Sequence, residues 1–173
     1  MRTIYLVPVG KVEQELLVYL STRIEKILPR LVEIGKTLPD PDYAYNKNRG
    51  QYQSDLILVK LQKLGLEEAE KILGVANLDL YIPGLNFVFG QAIIGGRVAL
   101  IGLSRLKQGF YGLPENKELY YTRALKEALH ELGHTFGLSH CGKRECIMHF
   151  SNSLADTDYK ESGFCKKCWK KMF

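Results

Sequence analysis

The stretch HELGHTFGLSHC, His130 through Cys141, carries three histidines and a glutamate at spacings that suit zinc chemistry, with a cysteine directly after the last histidine. Successive residues of a helix turn by about 100°. His130 and His134 therefore lie one turn apart on one face and can point at a single ion. Glu131 sits beside the first histidine, off the core face, where it can reach a water on the metal without ligating the ion. A catalytic zinc usually has three protein ligands and one open position. Gly137 offers the route to the third, because glycine ends a helix at little cost in a positive-φ turn and the chain can then bring His140 back. The chemistry this pattern predicts is peptide-bond hydrolysis. Zinc lowers the pKa of its bound water to near ~7, Glu131 takes the proton and passes it to the leaving amine, and the ion polarises the scissile carbonyl.

The helix that must position these groups is predicted over 119–136. On its wheel Arg123, Glu127, His130 and His134 form one narrow stripe, while Leu125, Leu129, Leu132 and Phe136 fall nearly opposite. The leucine face packs on the core and the histidines face something else. A structural histidine more often sits on or beside the apolar face.

All four cysteines follow this helix: Cys141, Cys146, Cys165 and Cys168, a C-x4-C pair and a C-x2-C pair separated by eighteen residues. Two close pairs can each grip one side of a tetrahedral ion, and four thiolates are a common structural zinc set; free thiols and disulfides are the alternatives. The segment they tie down has few periodic apolar elements, so metal binding would supply much of its folding free energy. In an extended chain, neighbours point to opposite faces. Cys141 is thus expected to leave the first metal to His140 and to join the other cysteines, as a hinge between two sites.

Upstream, TIYLVPV reads as a buried strand and 12–28 as an amphipathic helix ending before Pro29. LVEIGKTL reads as a strand, PDPDYAYNKNRGQYQ as a loop, and Ser54 as the cap of a helix over 55–64 that continues through LEEAEKIL. ANLDLYIP, NFVFGQAII and RVALIGLSRL are β-rich, with Gly95-Gly96 as a hairpin signal. Residues 137–163 read as irregular, with a short helix closing the chain. The order predicts an α/β (α+β) fold: a mixed twisted sheet with packed helices and a small, irregular, zinc-stapled C-terminal subdomain. Residues 1–173 read as a single domain, with 1–137 an α/β subdomain ending in the active-site helix and 138–173 the four-cysteine subdomain.

The chain has 173 residues, 46% of them apolar, enough for one compact core. No apolar run spans a bilayer, and MRTIYLVPVGKVEQE lacks a secretory cleavage pattern. The expected location is cytoplasmic, where four cysteines favour metal or thiol over disulfide. Net charge is +5, and KKCWKKMF adds four lysines with no acid. A solvated basic face accounts for that tail; nucleic-acid binding is a weaker reading, with few aromatics, chiefly Phe164, Trp169 and Phe173, beside those lysines.

HELGHTFGLSH followed by IMHF resembles the metzincin metalloproteases, and Cys141, Cys146, Met148 and the later CKKC together resemble one branch of them, the archaemetzincins. The resemblance covers 130–168. It implies a metzincin (zincin-like) fold, His130, His134 and His140 as ligands of a catalytic zinc, Glu131 as general base, Met148 as the turn methionine beneath the metal, and a second zinc on the four cysteines. By itself Met148 reads as an ordinary core methionine. Any difference between the Met148-to-Cys165 spacing and the family pattern reads as loop variation. The resemblance also makes 97–106 a candidate for the strand at the cleft rim that pairs with extended substrate, against the alternative of an ordinary internal strand. Tyr159 reads mainly as a packing or surface tyrosine, with an oxyanion role the lesser reading, and His149 as a loop histidine. No cysteine precedes His130, so a restricted cleft is expected to control activity, without a zymogen step. The function so read is a zinc metallopeptidase acting on short peptides or restricted substrates. The alternative is a weakly active or non-catalytic peptide-binding module, against which the retained Glu131 argues.

Overall fold

The structure, a computed structural model, describes residues 2–173. The chain begins with strand β1 (Thr3–Val9), helix α1 (Gln14–Ile27) and strand β2 (Leu31–Ile34). Strands β3 (Tyr45–Asn46) and β4 (Gln51–Gln53) lead into α2 (Ser54–Gln62), followed by β5 (Ala69–Ala76) and β6 (Leu80–Tyr81). Then come β7 (Gly90–Ala92), β8 (Val98–Gly102), the long helix α3 (Lys117–Thr135) and two short helices, α4 (Leu154–Tyr159) and α5 (Lys166–Met172). The main sheet runs β2-β1-β5-β8-β7. Its strands are parallel except β7, which lies antiparallel to β8 at the edge.

Alternation along the central strands builds three layers. Ile4 and Leu6, Leu73 and Val75, and Ala99 and Ile101 face a core shared with Leu16, Leu20 and Ile24 of α1 and Leu129 and Leu132 of α3. Val7 and Val9, Ile72 and Ala76, and Val98 and Leu100 face the other way, onto Ile57, Leu58 and Leu61 of α2. The leucine face of α3 is therefore the core face, as its wheel predicts.

The mixed sheet with packed helices matches the expected class, but several elements differ. LEEAEKIL does not continue α2: Gly65 takes a left-handed turn at φ 68°, and the chain enters β5 at the centre of the sheet. The glutamates there favour a helix only weakly, and burial of Ile72, Leu73 and Val75 between two layers overrides them. Ser54 does not cap α2 but stands inside its first turn, its one hydroxyl hydrogen within reach of the Tyr81 carbonyl (3.2 Å) and the Gln91 side-chain oxygen (2.5 Å). The stretch read as a loop before it contains β3 and β4, which form a small second sheet with β6. LVEIGKTL is a strand only in its first half. Residues 137–163 are largely irregular, as expected, but include α4, whose Ser153 and Asp156 form a capping box.

Candidate active site

Helix α3 starts at Asn116, whose side chain accepts from the Leu119 amide, and runs beneath the sheet to its end at Phe136. Two backbone devices fix that end. Gly137 at φ 89° turns the chain, with the Gly137 and Leu138 amides bonded back to His134 and Gly133. The Gly95 amide of the β7–β8 hairpin donates to the His134 carbonyl at 2.9 Å, and Lys71 Nζ donates to Thr135 at 2.7 Å. The edge of the sheet and the end of the helix are thereby locked together.

His130, His134 and His140 bring ring nitrogens to within 4.8 Å of one another. His130 Nδ1 lies 2.8 Å from the Ile147 carbonyl and His134 Nδ1 2.7 Å from the Leu138 carbonyl. A carbonyl only accepts, so each Nδ1 carries the hydrogen and each Nε2 is a lone-pair acceptor. Yet the two Nε2 atoms face each other at 3.1 Å. Two lone pairs at that distance call for a cation between them, and imidazoles oriented by carbonyls at the far nitrogen are what a metal centre uses. Burial holds His130 well below its ordinary value, with the Lys160 ammonium adding to the effect; burial also lowers His134 and His140. All three are neutral donors at neutral pH.

Glu131 shares a cleft of about 480 Å³ with these histidines, walled by Phe87–Ala92, Ile94 and Phe150. Strand β7 presses directly on its carboxylate: a Cβ at Gly90 would lie 2.8 Å from Glu131 Oε1. Burial, followed by the nearby Glu127 carboxylate, raises Glu131 well above the usual carboxylate range. Met148 is fully buried and packs against α3 where a side chain on Gly133, between His130 and His134, would stand. Gly133→Ala is accordingly expected to lower stability by ~1–3 kcal/mol through overpacking, although alanine gains ~1 kcal/mol of helix propensity. Calorimetric melting of the two proteins checks the sign.

The four cysteines form a separate cluster, their sulfurs within 4.8 Å of one another. Cys141 and Cys165 sulfurs are 3.9 Å apart and those of Cys146 and Cys168 3.8 Å, so the cluster is not held by disulfides. Burial works to raise Cys165, but the Cys168 amide and the neighbouring thiols bring it down to about 7. Consecutive residues thus serve different clusters: His140 faces the other histidines, and Cys141 faces the other cysteines. The Cys141 amide donates to the Met148 carbonyl at 2.9 Å, which ties this junction to the methionine turn.

The structure turns down one sequence candidate, the rim strand, and bears out the main readings of Tyr159 and His149. The 97–106 segment is not the cleft rim, because β8 is an internal strand and β7 occupies the edge above the helix. A continuous buried run such as VALIG is the mark of a central strand, so the signal was present. Tyr159 is half exposed with Arg144 over its ring at 4.2 Å, and it does not line the cleft. His149 is a loop residue, as read, and its Nδ1 donates to the Cys141 carbonyl at 2.8 Å. The sequence pattern gave no sign of Lys160, whose buried side chain lies beside Glu127 in the lining of the cleft. Nor did it show that Arg123 and Lys126 fasten α4 to α3, through Asp158 and the carbonyls of Thr157 and Asp158.

Two histidines and a buried carboxylate on one long helix, a third histidine returned by the glycine turn after it, and a sheet edge above them define the architecture of a zinc metallopeptidase. Peptidase family M54 matches residues 10–173. The archaemetzincin of Methanocaldococcus jannaschii is 47% identical over 165 residues, which cover 95% of this chain and 89% of that protein. That of Pyrococcus furiosus is 45% identical, with 98% and 91% covered. Among solved structures, the archaemetzincin of Methanopyrus kandleri superposes with a TM-score of 0.87 at 38% identity, covering 99% of this chain and 93% of the other. A zinc-dependent peptidase from Methanocorpusculum labreanum gives 0.88 at 30% identity, covering 98% and 100%. The chain belongs to peptidase family M54, the archaemetzincins, and is a zinc metallopeptidase. No helix among the described residues is long and apolar enough to cross a membrane.

Proposed function

We propose that this protein hydrolyses peptide bonds with Glu131 as general base, on short peptides or restricted termini laid along β7. The observation that carries the reading is the pair of facing Nε2 atoms of His130 and His134, each fixed by a carbonyl at its other nitrogen, with Glu131 beside them. His130, His134 and His140 would hold the catalytic zinc, and Cys141, Cys146, Cys165 and Cys168 a second, structural one. A bound zinc supplies Lewis acidity toward a carbonyl and a water.

The chain's own residues account for the rest. Glu131 takes the proton of the attacking water on its carboxylate and returns it to the leaving amine. Burial, which raises this carboxyl above the usual carboxylate range, makes it a stronger base for taking the proton. Its position under Gly90 brings it against the backbone of the strand that receives the substrate. Strand β7 is short and at the edge, so an extended peptide can add to it by main-chain hydrogen bonds. Ile82, Leu85, Phe87, Ile94 and Phe150 give the cleft apolar walls suited to apolar side chains. The same reading takes residues 1–173 as one domain whose C-terminal part, 138–173, is stapled by the cysteines, and places it in the cytoplasm.

The test is hydrolysis of fluorogenic peptides by zinc-loaded wild type beside the metal-free protein; equal rates with and without zinc would refute the reading. A pH prediction follows from the histidines. Ligands must be deprotonated to bind, and these are lowered from 6.5. Proton competition at the histidine site should therefore be absent above pH 6.5 and set in only below it. Chelator competition across pH measures this; a loss of affinity already above 6.5 contradicts it.

A further inference from the structure

Lys160 heads the fully buried large side chains of this protein, and none of its side chain is exposed. Lysine is almost never fully buried unless it is paired, and an apolar residue of similar volume would cost the fold less. Its surroundings show what the ammonium does. Nζ donates to the His149 carbonyl at 3.2 Å. Its distance to Glu127 Oε1 is 3.8 Å, a charge contact too long for a hydrogen bond. Glu127 takes its own hydrogen bond from the Thr157 hydroxyl at 2.9 Å. The directional contact of Lys160 is therefore with the main chain just past Met148, and its charge balances the helix that carries His130.

From that carbonyl the connection runs on. The His149 ring donates to Cys141, and Cys141 donates to the Met148 carbonyl. One ammonium thus joins three segments: α3 through Glu127, the methionine turn through His149, and, through the His149 ring, the segment holding His140. Lys160 is part of the lining of the cleft, with Glu127, His130 and Glu131, yet none of its side chain is exposed, and its ammonium is turned to the protein contacts just described.

We propose that Lys160 is a positioning residue for the hydrolytic centre, pinning the methionine turn and the His140 segment to the catalytic helix. The proposal rests on the reading of the three histidines and Glu131 as that centre. A misplacement of catalytic groups by about 1 Å costs ~100-fold in rate, and an interaction that acts on alignment lowers kcat without raising KM.

The test uses the zinc-loaded full chain with Lys160→Met, which keeps the stem and removes the ammonium. Because that change strands the buried Glu127 carboxylate, the double variant Glu127→Gln/Lys160→Met serves as the second protein. Two readouts are taken: kcat and KM on a fluorogenic peptide, and long-range nitrogen–proton spectra of the imidazoles. Both variants are expected to lose about 100-fold in kcat with KM within about twofold, and to shift the His140 and His149 resonances. A double variant that keeps wild-type kcat and an unmoved His140 overturns the proposal. If wild type cleaves no peptide, the reading of the centre fails, and the imidazole spectra alone decide: shifted His140 and His149 support the role of Lys160, unmoved ones refute it.

Discussion

Replacing Glu131 by glutamine is expected to leave zinc content unchanged and to cut kcat/KM on a peptide by ~10²–10⁴-fold, the range that a general acid–base group contributes. That is about 3–5 kcal/mol of transition-state stabilisation. The amide has the shape of the acid but cannot accept a proton, so binding survives while chemistry does not. The change should not unfold the protein. A carboxyl whose folded value is raised costs stability above its ordinary 4.5, and burial raises this one. Glutamine removes that cost, so at neutral pH the metal-free variant should melt no lower than metal-free wild type. Kinetics with metal analysis, alongside melting of the metal-free proteins, checks both halves. A variant that keeps full zinc-dependent activity removes Glu131 from the role of base.

Loss of the cysteine cluster should have the largest structural effect. Structural zinc contributes ~10–16 kcal/mol of apparent binding free energy in small zinc-dependent folds. Cys165→Ser, or a strong chelator, is expected to open 141–173 to protease, and an unchanged digestion pattern would count against a stapling metal. Cys146, Ile147, Met148 and Cys168 belong to the same core as the sheet and α3, so the disturbance should not stop at the C-terminal segment. Cys141→Ser tests that link. With His140 on one cluster and Cys141 on the other, and Cys141 bonded to Met148, the variant should weaken zinc at the histidines as well, by ~10–100-fold as outer-shell changes do. Chelator competition reads it directly, and wild-type affinity at the histidine site would sink the hinge.

Much of the candidate site was legible because it is local. His130, Glu131, His134 and Gly137 are related by helix geometry and one glycine turn, which spacing alone encodes. The two pairs of cysteines are equally local, and the four positions of a tetrahedral ion predict the convergence that their sulfurs show. What escaped is set by partners distant in sequence. The glutamates before β5 favour a helix, and only the flanking β1 and β8 make that stretch a strand. The rim strand could not be told from its neighbour until the sheet order put β7 at the edge, although the buried run of β8 pointed inward. Lys160 reads as one lysine of a basic tail region; its burial depends on Glu127 and His149, which fold alongside it from separate segments. Nothing in the sequence marks Gly90 and Gly133, and their reason is what lies against them: Glu131 for the first, Met148 and Phe164 for the second.

The most direct test of peptide hydrolysis in this cleft is a digest of a diverse peptide library by the protein with stoichiometric zinc, with the new termini read by mass spectrometry. New termini that depend on zinc and cluster beside apolar side chains are the predicted result; a library left intact by the fully zinc-loaded protein would contradict it.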